Sequence, residues 1–178
     1  MNPLRLRLIY QEALRRLRDA DTLSDSTLLS EQSDSPYLLR LLGLELLLKL
    51  VHEIVLLEPG LGHKYAELFN QLPSDLQEKL LSLAGERVGP SALASKHVYV
   101  LQEWGKNFIA LRYPWERYPD MSEEEYSRVG KTWVEKGAPL DKATFRYFPE
   151  ELVGFLAALR IVANELVEGS ANPTPNVA

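Results

Sequence analysis

Residues 38–57 read LLRLLGLELLLKLVHEIVLL, a run that is apolar on nearly every side of a helix. As a helix it would be roughly 30 Å long, enough to span the hydrocarbon core of a membrane. Four charged residues interrupt it, and each charge near the centre opposes insertion by about 2.5–3.5 kcal/mol. They are Arg40, Glu45, Lys49 and Glu53. The stretch therefore predicts the central helix of a soluble bundle, in contact with other helices on most sides and not with a membrane.

The polar residues of this helix share one face. Glu45, Lys49 and His52 are spaced at i, i+4 and i+7, so a helix places them in a row. In a structural interpretation, Glu45 and Lys49 form an ion pair beside an imidazole whose nitrogens are satisfied. In a functional interpretation, the three residues form a polar binding site. The spacing favours the first and keeps all three residues as binding candidates.

Helices are also predicted before and after the central stretch. A helix over about residues 4–19 carries a regular apolar stripe, whereas residues 20–35 are rich in Ser and Asp, which is typical of a mobile loop. Further along the chain, apolar periodicity and capping residues predict helices at several positions. These helices begin near His63, Ser74, Ser95 and Pro149.

The least regular part of the chain is an insertion over residues 117–148. Within it, Ser122 and Glu125 predict a capping box for one short helix. Residues 169–178 follow the last predicted helix and read as a disordered tail. The expected fold is an all-α, up-and-down bundle of about five main helices, in a single domain over residues 1–168.

Composition narrows the possible chemistry. The chain has 178 residues, the length of one domain, and no cysteine, which excludes a disulfide scaffold, a thiolate zinc site and a cysteine nucleophile. Its histidines are not spaced to share a metal, so no metal or other cofactor is expected. Gly130 lacks the partner glycine that a phosphate-binding loop needs. The net charge of −5 argues mildly against broad nucleic-acid affinity, and the absence of cysteine fits the cytoplasm.

A cluster of aromatic and charged residues ends the fifth predicted helix. Residues 108–119 read FIALRYPWERYP. On a helical wheel Arg112 falls within about 20° of Leu101, so its side chain is expected to point along the apolar face. Pro114 disfavours helical geometry at Tyr113 and is expected to end the helix there.

Two interpretations of this cluster stay open. In one, Arg112 pairs with Glu116 or another carboxylate while Tyr113 and Trp115 close the core. In the other, Arg112 binds the phosphate of a ligand in a bidentate manner. His63 follows a Pro-Gly-Leu-Gly turn and also has two interpretations. It either fixes that turn or forms part of a functional site. The catalytic candidates are Arg112, Glu116 and His63, and Tyr113 and Trp115 are binding candidates.

Three stretches together resemble the HEPN superfamily of helical-bundle proteins. Residues 42–73 contain the central helix, a Pro/Gly break and GLGHKYAELFNQLP, which is similar to the Gly-His segment and Leu-Phe-x-x-Leu helix of that family. Residues 108–116 read FIALRYPWE, which is similar to its Arg-Tyr-x-x-Glu helix ending. Residues 151–167 resemble its long closing helix. The resemblance covers residues 36–168.

This resemblance implies a homodimeric helical bundle inside a bacterial or archaeal cell, with a role in toxin–antitoxin systems, antiviral defence or RNA processing. Catalytic members are metal-independent ribonucleases that carry an Arg, a polar residue and, a few residues later, a His. Arg112 is followed by YPWERYP, which contains no histidine. A ribonuclease of this type would therefore need another histidine, such as His63, brought to Arg112 by the fold.

The sequence is compatible with three functions. The first is a non-catalytic HEPN-like binding or regulatory module that binds RNA, a nucleotide or a cognate antitoxin. The second is a divergent metal-independent ribonuclease or toxin that uses Arg112 with His63 or Glu116. The third is a plain helical protein–protein interaction domain whose polar clusters are structural. The missing histidine after Arg112 favours the first.

Overall fold

A computed structural model describes residues 2–26, 33–139 and 142–171. Within these ranges the chain forms seven α-helices and no β-strand, which confirms the prediction of an all-α protein. Five of the helices have 15 or more residues, in agreement with the expected number of main helices. The elements in chain order are α1 (Pro3–Ser26), α2 (Ser35–Leu56), α3 (Tyr65–Asn70), α4 (Ser74–Val88), α5 (Ala92–Ala110), a 3-10 helix (Pro114–Arg117), α6 (Glu123–Glu135) and α7 (Pro149–Ala171).

Helix α2 is the centre of the bundle, as its sequence predicts. It contacts α1, α3, α5 and α7. Its inward apolar residues are fully removed from solvent, and each such burial stabilises a fold by about 1.5–3 kcal/mol. These residues are Leu41, Leu44, Leu47, Leu48, Leu50 and Val51. Among the described residues, no helix is both long and apolar enough to cross a membrane.

Two glycines let neighbouring helices approach closely. A Cβ atom at Gly154 of α7 would lie 2.4 Å from Cγ2 of Val88 and 3.0 Å from the carbonyl oxygen of Ala84, both on α4. A Cβ atom at Gly43 of α2 would lie 2.6 Å from Cδ2 of Leu17 on α1. The α1–α2 and α4–α7 pairs are the most extensive helix contacts of the bundle. Both contacts therefore depend on the absence of a side chain at one position.

The segment before α7 is held against the bundle by hydrogen bonds to its backbone. Trp104 Nε1 and the Tyr37 hydroxyl donate to the carbonyl of Tyr147, at 3.0 and 3.1 Å. Asn107 Nδ2 donates to the carbonyl of Arg146 at 2.8 Å. Helices α2 and α5 thus both bind the chain just before it enters α7.

Glu103 of α5 adds a charged contact to the same segment. Its buried carboxylate accepts hydrogen bonds from Lys106 at 2.7 Å and from Arg146 at 2.9 Å. Burial opposes ionisation, but the hydrogen bonds from Lys106 and Arg146 outweigh it and hold the pKa of Glu103 below its ordinary value. The ionised form of Glu103 is therefore the form that stabilises the fold.

The structure corrects the predicted loop after the first helix. Residues 20–26 belong to α1, although their Ser- and Asp-rich composition predicts a mobile loop. Ala20 is fully buried, and the hydroxyls of Thr22 and Ser24 donate to carbonyls four residues earlier. Because these polar side chains are satisfied within the helix, the helix continues. Residues 27–32 of the predicted loop lie outside the described residues.

The predicted insertion and tail are partly helical. Ser122 and Glu125 form the expected capping box at the start of α6. Gly130 lies inside α6, whereas a phosphate-binding glycine would lie in a loop. Helix α7 extends to Ala171, so the first residues of the predicted tail are helical. Residues 172–178 lie outside the described residues.

Replacing Gly154 with Ala is expected to destabilise the protein by about 1–3 kcal/mol, because the new methyl group would overlap Val88 and the backbone of Ala84. Gly85→Ala is the matched control in the same helix pair, since a Cβ atom there would meet nothing within 4 Å. Urea denaturation should give a lower midpoint for Gly154→Ala and an unchanged or higher midpoint for Gly85→Ala. Equal midpoints would contradict the close α4–α7 contact.

Replacing Glu103 with Gln is expected to lower the free energy of unfolding by about 1–3 kcal/mol at pH 7, because Lys106 and Arg146 lose a charged acceptor. The folded-state pKa of Glu103 is lowered, so its contribution is present above the unfolded-state pKa and is lost as the pH falls through the folded-state pKa. The difference between wild type and variant should therefore shrink as the pH is lowered from 7 to about 3.

Urea denaturation across this pH range measures the effect of Glu103→Gln. Glu124→Gln is the control, because Glu124 forms an exposed ion pair with Arg128 and should change stability little at any pH. A stability difference for Glu103→Gln that stays constant from neutral to acidic pH would contradict the role of the ionised carboxylate.

Candidate functional site

Glu45 of α2 is a buried carboxylate with two partners from different parts of the chain. Its Oε1 accepts a hydrogen bond from Lys49 Nζ at 2.8 Å, one turn further along α2. Its Oε2 accepts a hydrogen bond from His63 Nδ1, also at 2.8 Å. The predicted Glu45–Lys49 ion pair is therefore confirmed. A buried carboxylate is costly without such partners, so the two contacts allow α2 to be a core helix.

Only one ring nitrogen of His63 is hydrogen-bonded to a described residue. An ionised carboxylate can only accept hydrogen bonds, so the bond to Glu45 assigns the proton to Nδ1. Among the described residues, Nε2 of His63 has no hydrogen-bond partner, and 43% of the side chain is exposed. His63 thus fixes the turn after α2, as one interpretation of the sequence predicts, and remains accessible at its other edge.

The turn that carries His63 packs directly on α5. Leu57 caps α2 with φ 60°, and Gly62 has φ 76°, so the chain reverses through two left-handed residues. A Cβ atom at Gly105 of α5 would lie 3.0 Å from the carbonyl oxygen of His63. Glycine at position 105 therefore lets the backbone of His63 reach the helix surface.

The ring of Phe108 joins His63 to Arg112. The ring centres of His63 and Phe108 are 5.5 Å apart, and Tyr65 lies on the same ring at 6.2 Å. Arg112 Cζ lies 4.7 Å from the centre of the Phe108 ring, over its face. Since both distances are measured from this ring centre, Arg112 Cζ can lie no farther from the His63 ring than their sum, about 10 Å. The fold therefore places His63 and Arg112 against the same ring, no more than about 10 Å apart.

Arg112 is exposed, although its guanidinium lies along the apolar ring as the helical wheel predicts. Helix α5 ends at Ala110, so Arg112 lies just beyond the last helical turn. The guanidinium forms no hydrogen bond or ion pair with any residue that the structure describes. Its contacts are with the rings of Phe108 and, at 6.0 Å, Tyr113. Its N–H donors are consequently available to a ligand or to water.

The aromatic residues after Arg112 do not close the core, which corrects one interpretation of this cluster. Tyr113 is 47% exposed and Trp115 is 66% exposed, and their rings contact each other with centres 5.6 Å apart. Glu116 is also exposed and does not pair with Arg112. The physical reason is the end of α5 at Ala110, because the following 3-10 helix carries these side chains away from the core.

Tyr65 connects the buried and exposed parts of the site. Its hydroxyl is buried and donates to the carbonyl of Leu41 at 3.3 Å. Burial raises the pKa of Tyr65, and the neighbouring Glu45 carboxylate raises it further, whereas Arg112 lowers it. Tyr65 therefore stays a neutral hydroxyl.

His52 is separate from this site, although it shares a helix face with Glu45 in the sequence. Its Nδ1 lies 3.1 Å from the carbonyl oxygen of Glu58, and its Nε2 lies 2.7 Å from Oε1 of Gln71. Both ring nitrogens are used and the residue is buried. His52 thus ties the end of α2 to α3 and offers nothing to a ligand, as the structural interpretation predicts.

A cavity of about 390 Å³ lies beside His63, between the start of α3 and α5. Its wall includes Lys64, Gln102, Lys106 and Ile109. The volume is within the range of small-ligand pockets, roughly 300–1,000 Å³. A ligand that contacts His63 has room to extend into this cavity. In the described part of the chain, no three His, Asp or Glu side chains lie together where they could hold a metal ion.

Sequence reasoning did not identify Phe108, Tyr65 and Gly105 as parts of the site. A usable signal was present, because Phe108 precedes Arg112 by four residues, the spacing at which helical side chains stack. The contacts of Tyr65 and Gly105 with other elements have no comparable local signal.

Replacing Glu45 with Gln is expected to lower the free energy of unfolding by about 1–3 kcal/mol, because Lys49 and His63 lose a shared charged acceptor. The variant should also release His63 from a single tautomer, which ¹⁵N chemical shifts of the ring nitrogens would report. Glu67→Gln is the control, since the Lys64–Glu67 ion pair is exposed. Unchanged ¹⁵N shifts in Glu45→Gln would contradict the anchoring role of Glu45.

Comparisons of the chain with protein-family models, with curated proteins and with solved structures find no match. The HEPN resemblance of residues 36–168 therefore stays a prediction from sequence motifs. The ligand or reaction that the site formed by Glu45, His63 and Arg112 could support follows from its geometry.

Proposed function

We propose that the protein is a non-catalytic, HEPN-like binding module whose site at Glu45, His63 and Arg112 takes a phosphate group of RNA or of a nucleotide. The observation that carries this proposal is the Arg112 guanidinium. It lies on the Phe108 ring, close to His63, and has no acceptor among the described residues. A ligand oxyanion would supply that acceptor.

The chemistry of the guanidinium supports a phosphate ligand. Stacking on an aromatic ring covers one face of the group and leaves its edge of N–H donors available. Two parallel donors match two oxygens of a phosphate, and such charge-assisted bonds are stronger than neutral ones. Within the site, Lys49 offsets the charge of Glu45, so the charge of Arg112 is not cancelled by the carboxylate nearby. His63 Nε2 offers a second polar contact.

Exposed aromatic rings favour RNA or a nucleotide over a simple inorganic anion. Tyr113 follows Arg112 directly, with its ring centre 6.0 Å from the guanidinium carbon, and the exposed ring of Trp115 packs on Tyr113. Unpaired bases of RNA stack on such rings while basic residues hold the phosphates. Together with the resemblance of residues 36–168 to HEPN proteins, this supports a homodimeric module in a bacterial toxin–antitoxin, defence or RNA-processing system, inside the cell.

A divergent metal-independent ribonuclease is the second candidate, and the Glu45–His63 hydrogen bond favours it. A carboxylate that holds the Nδ1 proton leaves Nε2 of a histidine able to accept a proton. Arg112 would then stabilise the charge on the reacting phosphate. Glu116 has no described contact with His63 or Arg112, so its candidacy rests on its place in the sequence. The missing histidine after Arg112 keeps this candidate second.

Replacing Arg112 with Gln is expected to weaken binding of a fluorescently labelled single-stranded oligoribonucleotide by about tenfold or more, because a charge-assisted bidentate contact is lost. Fluorescence anisotropy in the presence of EDTA measures the affinity. Arg128→Gln is the matched control, since it removes the same charge from an exposed arginine paired with Glu124. Circular dichroism should give the same helix content for all three proteins.

The outcomes of this experiment separate the candidate functions. Binding that depends on Arg112 without cleavage supports the binding module, whereas cleavage in EDTA that depends on Arg112 and His63 supports the ribonuclease. A folded wild-type protein that neither binds nor cleaves RNA would leave the plain helical interaction domain. Equal losses in Arg112→Gln and Arg128→Gln would also contradict the proposed site, because they would indicate diffuse electrostatic attraction.

A further inference from the structure

A second cavity, of about 140 Å³, lies where α1, α2, α4 and α7 meet, away from the residues of the first site. Its wall holds three arginines from three different helices: Arg40 of α2, Arg87 of α4 and Arg160 of α7. Asp21 of α1 is the carboxylate on the same wall, and the rest of the lining is apolar: the buried Leu17 and Leu156, the partly buried Ala157 and the exposed Val153. The arginines outnumber the carboxylate in a chain whose net charge is −5.

One of the three arginines is held in place by the protein. Arg40 Nη2 donates to Oδ1 of Asp21 at 3.1 Å and to the hydroxyl of Ser24 at 3.0 Å. These bonds involve only one of its nitrogens, and the side chain is largely shielded from solvent. Arg40 therefore presents a fixed positive group with further donors to the cavity.

The other two arginines have no protein acceptor. Arg87 and Arg160 form no hydrogen bond or ion pair with any residue that the structure describes. The position of Arg87 in the last turn of α4 suits the negative end of that helix. Arg160 lies in the middle of α7, where the helix end has no such effect. No described residue therefore pairs with Arg160 to explain why it lies beside two other arginines.

Arg87 and Arg160 are exposed, so their mutual repulsion is weakened by solvent but not removed. Two of the cavity's charges, those of Arg40 and Asp21, offset each other, so Arg87 and Arg160 remain as unbalanced positive groups. A bound anion would attract both guanidinium groups and so offset their mutual repulsion. Guanidinium groups bind phosphate oxygens in a bidentate manner, and several arginines can share one phosphate.

We propose that this arginine cavity is a second anion site, which binds a phosphate group through Arg40, Arg87 and Arg160. Its volume is well below the roughly 300–1,000 Å³ of pockets that enclose small molecules. It therefore has room for the phosphate group alone, at a surface open to solvent, either as a free ion such as pyrophosphate or as the phosphate end of a larger molecule. The site is distinct from the one at Arg112 and does not depend on it.

Isothermal titration calorimetry with inorganic pyrophosphate tests the arginine cavity, and the Arg112→Gln variant is the starting protein so that the first site does not contribute. Saturable binding of one pyrophosphate per chain is expected. Adding Arg87→Gln and Arg160→Gln should weaken it by about tenfold or more. The matched control adds Arg18→Gln and Arg128→Gln, which remove the same charge from exposed arginines, and should change the affinity by less than about twofold.

Each outcome decides the proposal. No saturable binding to the folded Arg112→Gln protein, or equal weakening in the test and control variants, would overturn it. If the doubly substituted test protein does not fold, Arg160→Lys keeps the charge but removes the bidentate geometry, and unchanged affinity in this variant would overturn the proposal as well. A parallel titration with ADP distinguishes the sources, since arginine-dependent ADP binding indicates the phosphate end of a larger molecule and binding of pyrophosphate alone indicates a free ion.

Discussion

The burial of α2 on most of its sides is the constraint on which the rest of the structure depends. Its leucines supply the centre of the core, but the same helix carries Glu45 and His52 into that core. Buried polar groups have to be hydrogen-bonded. His52 bonds to the backbone of Glu58, and Glu45 bonds to His63, so both are satisfied by the turn that follows α2. Because the buried Glu45 carboxylate needs this hydrogen bond, the burial of α2 also determines where His63 lies.

Some arginines of this protein are paired with carboxylates and others are not. Only the unpaired ones have all their donors available to a ligand. Several arginines have carboxylate partners that join helices or stabilise a single helix. These pairs are Arg5–Glu53, Arg16–Glu12, Arg40–Asp21 and Arg146–Glu103. Arg7, Arg18, Arg87, Arg112 and Arg160 have no such partner among the described residues, and three of these five differ from the rest in their surroundings. Arg112 lies beside an oriented histidine and exposed rings, whereas Arg87 and Arg160 share a small cavity, so the two groups suit different ligands.

The positions of most helices follow from local signals. Apolar spacing, the Pro-Gly break after α2 and the capping box of Ser122 and Glu125 act within a few residues, and the structure has helices where these signals predict them. The loop predicted over residues 20–35 is wrong for residues 20–26, because two of their hydroxyls bond within the helix and other residues contact the rest of the bundle. Ala20 is buried in the core, and Asp21 pairs with Arg40 on the next helix.

By itself, the sequence determined an all-α protein built around α2, because residue type and helical spacing are local properties. It singled out six polar candidates without separating those of the site from the others: Glu45, Lys49, His52, His63, Arg112 and Glu116. Only the tertiary structure decided that Glu45 meets His63 while His52 is used elsewhere, and that Arg112 and His63 lie on the same Phe108 ring. These contacts join residues that are distant in the chain. They depend on where a left-handed turn and the end of α5 place each side chain, which no local pattern specifies.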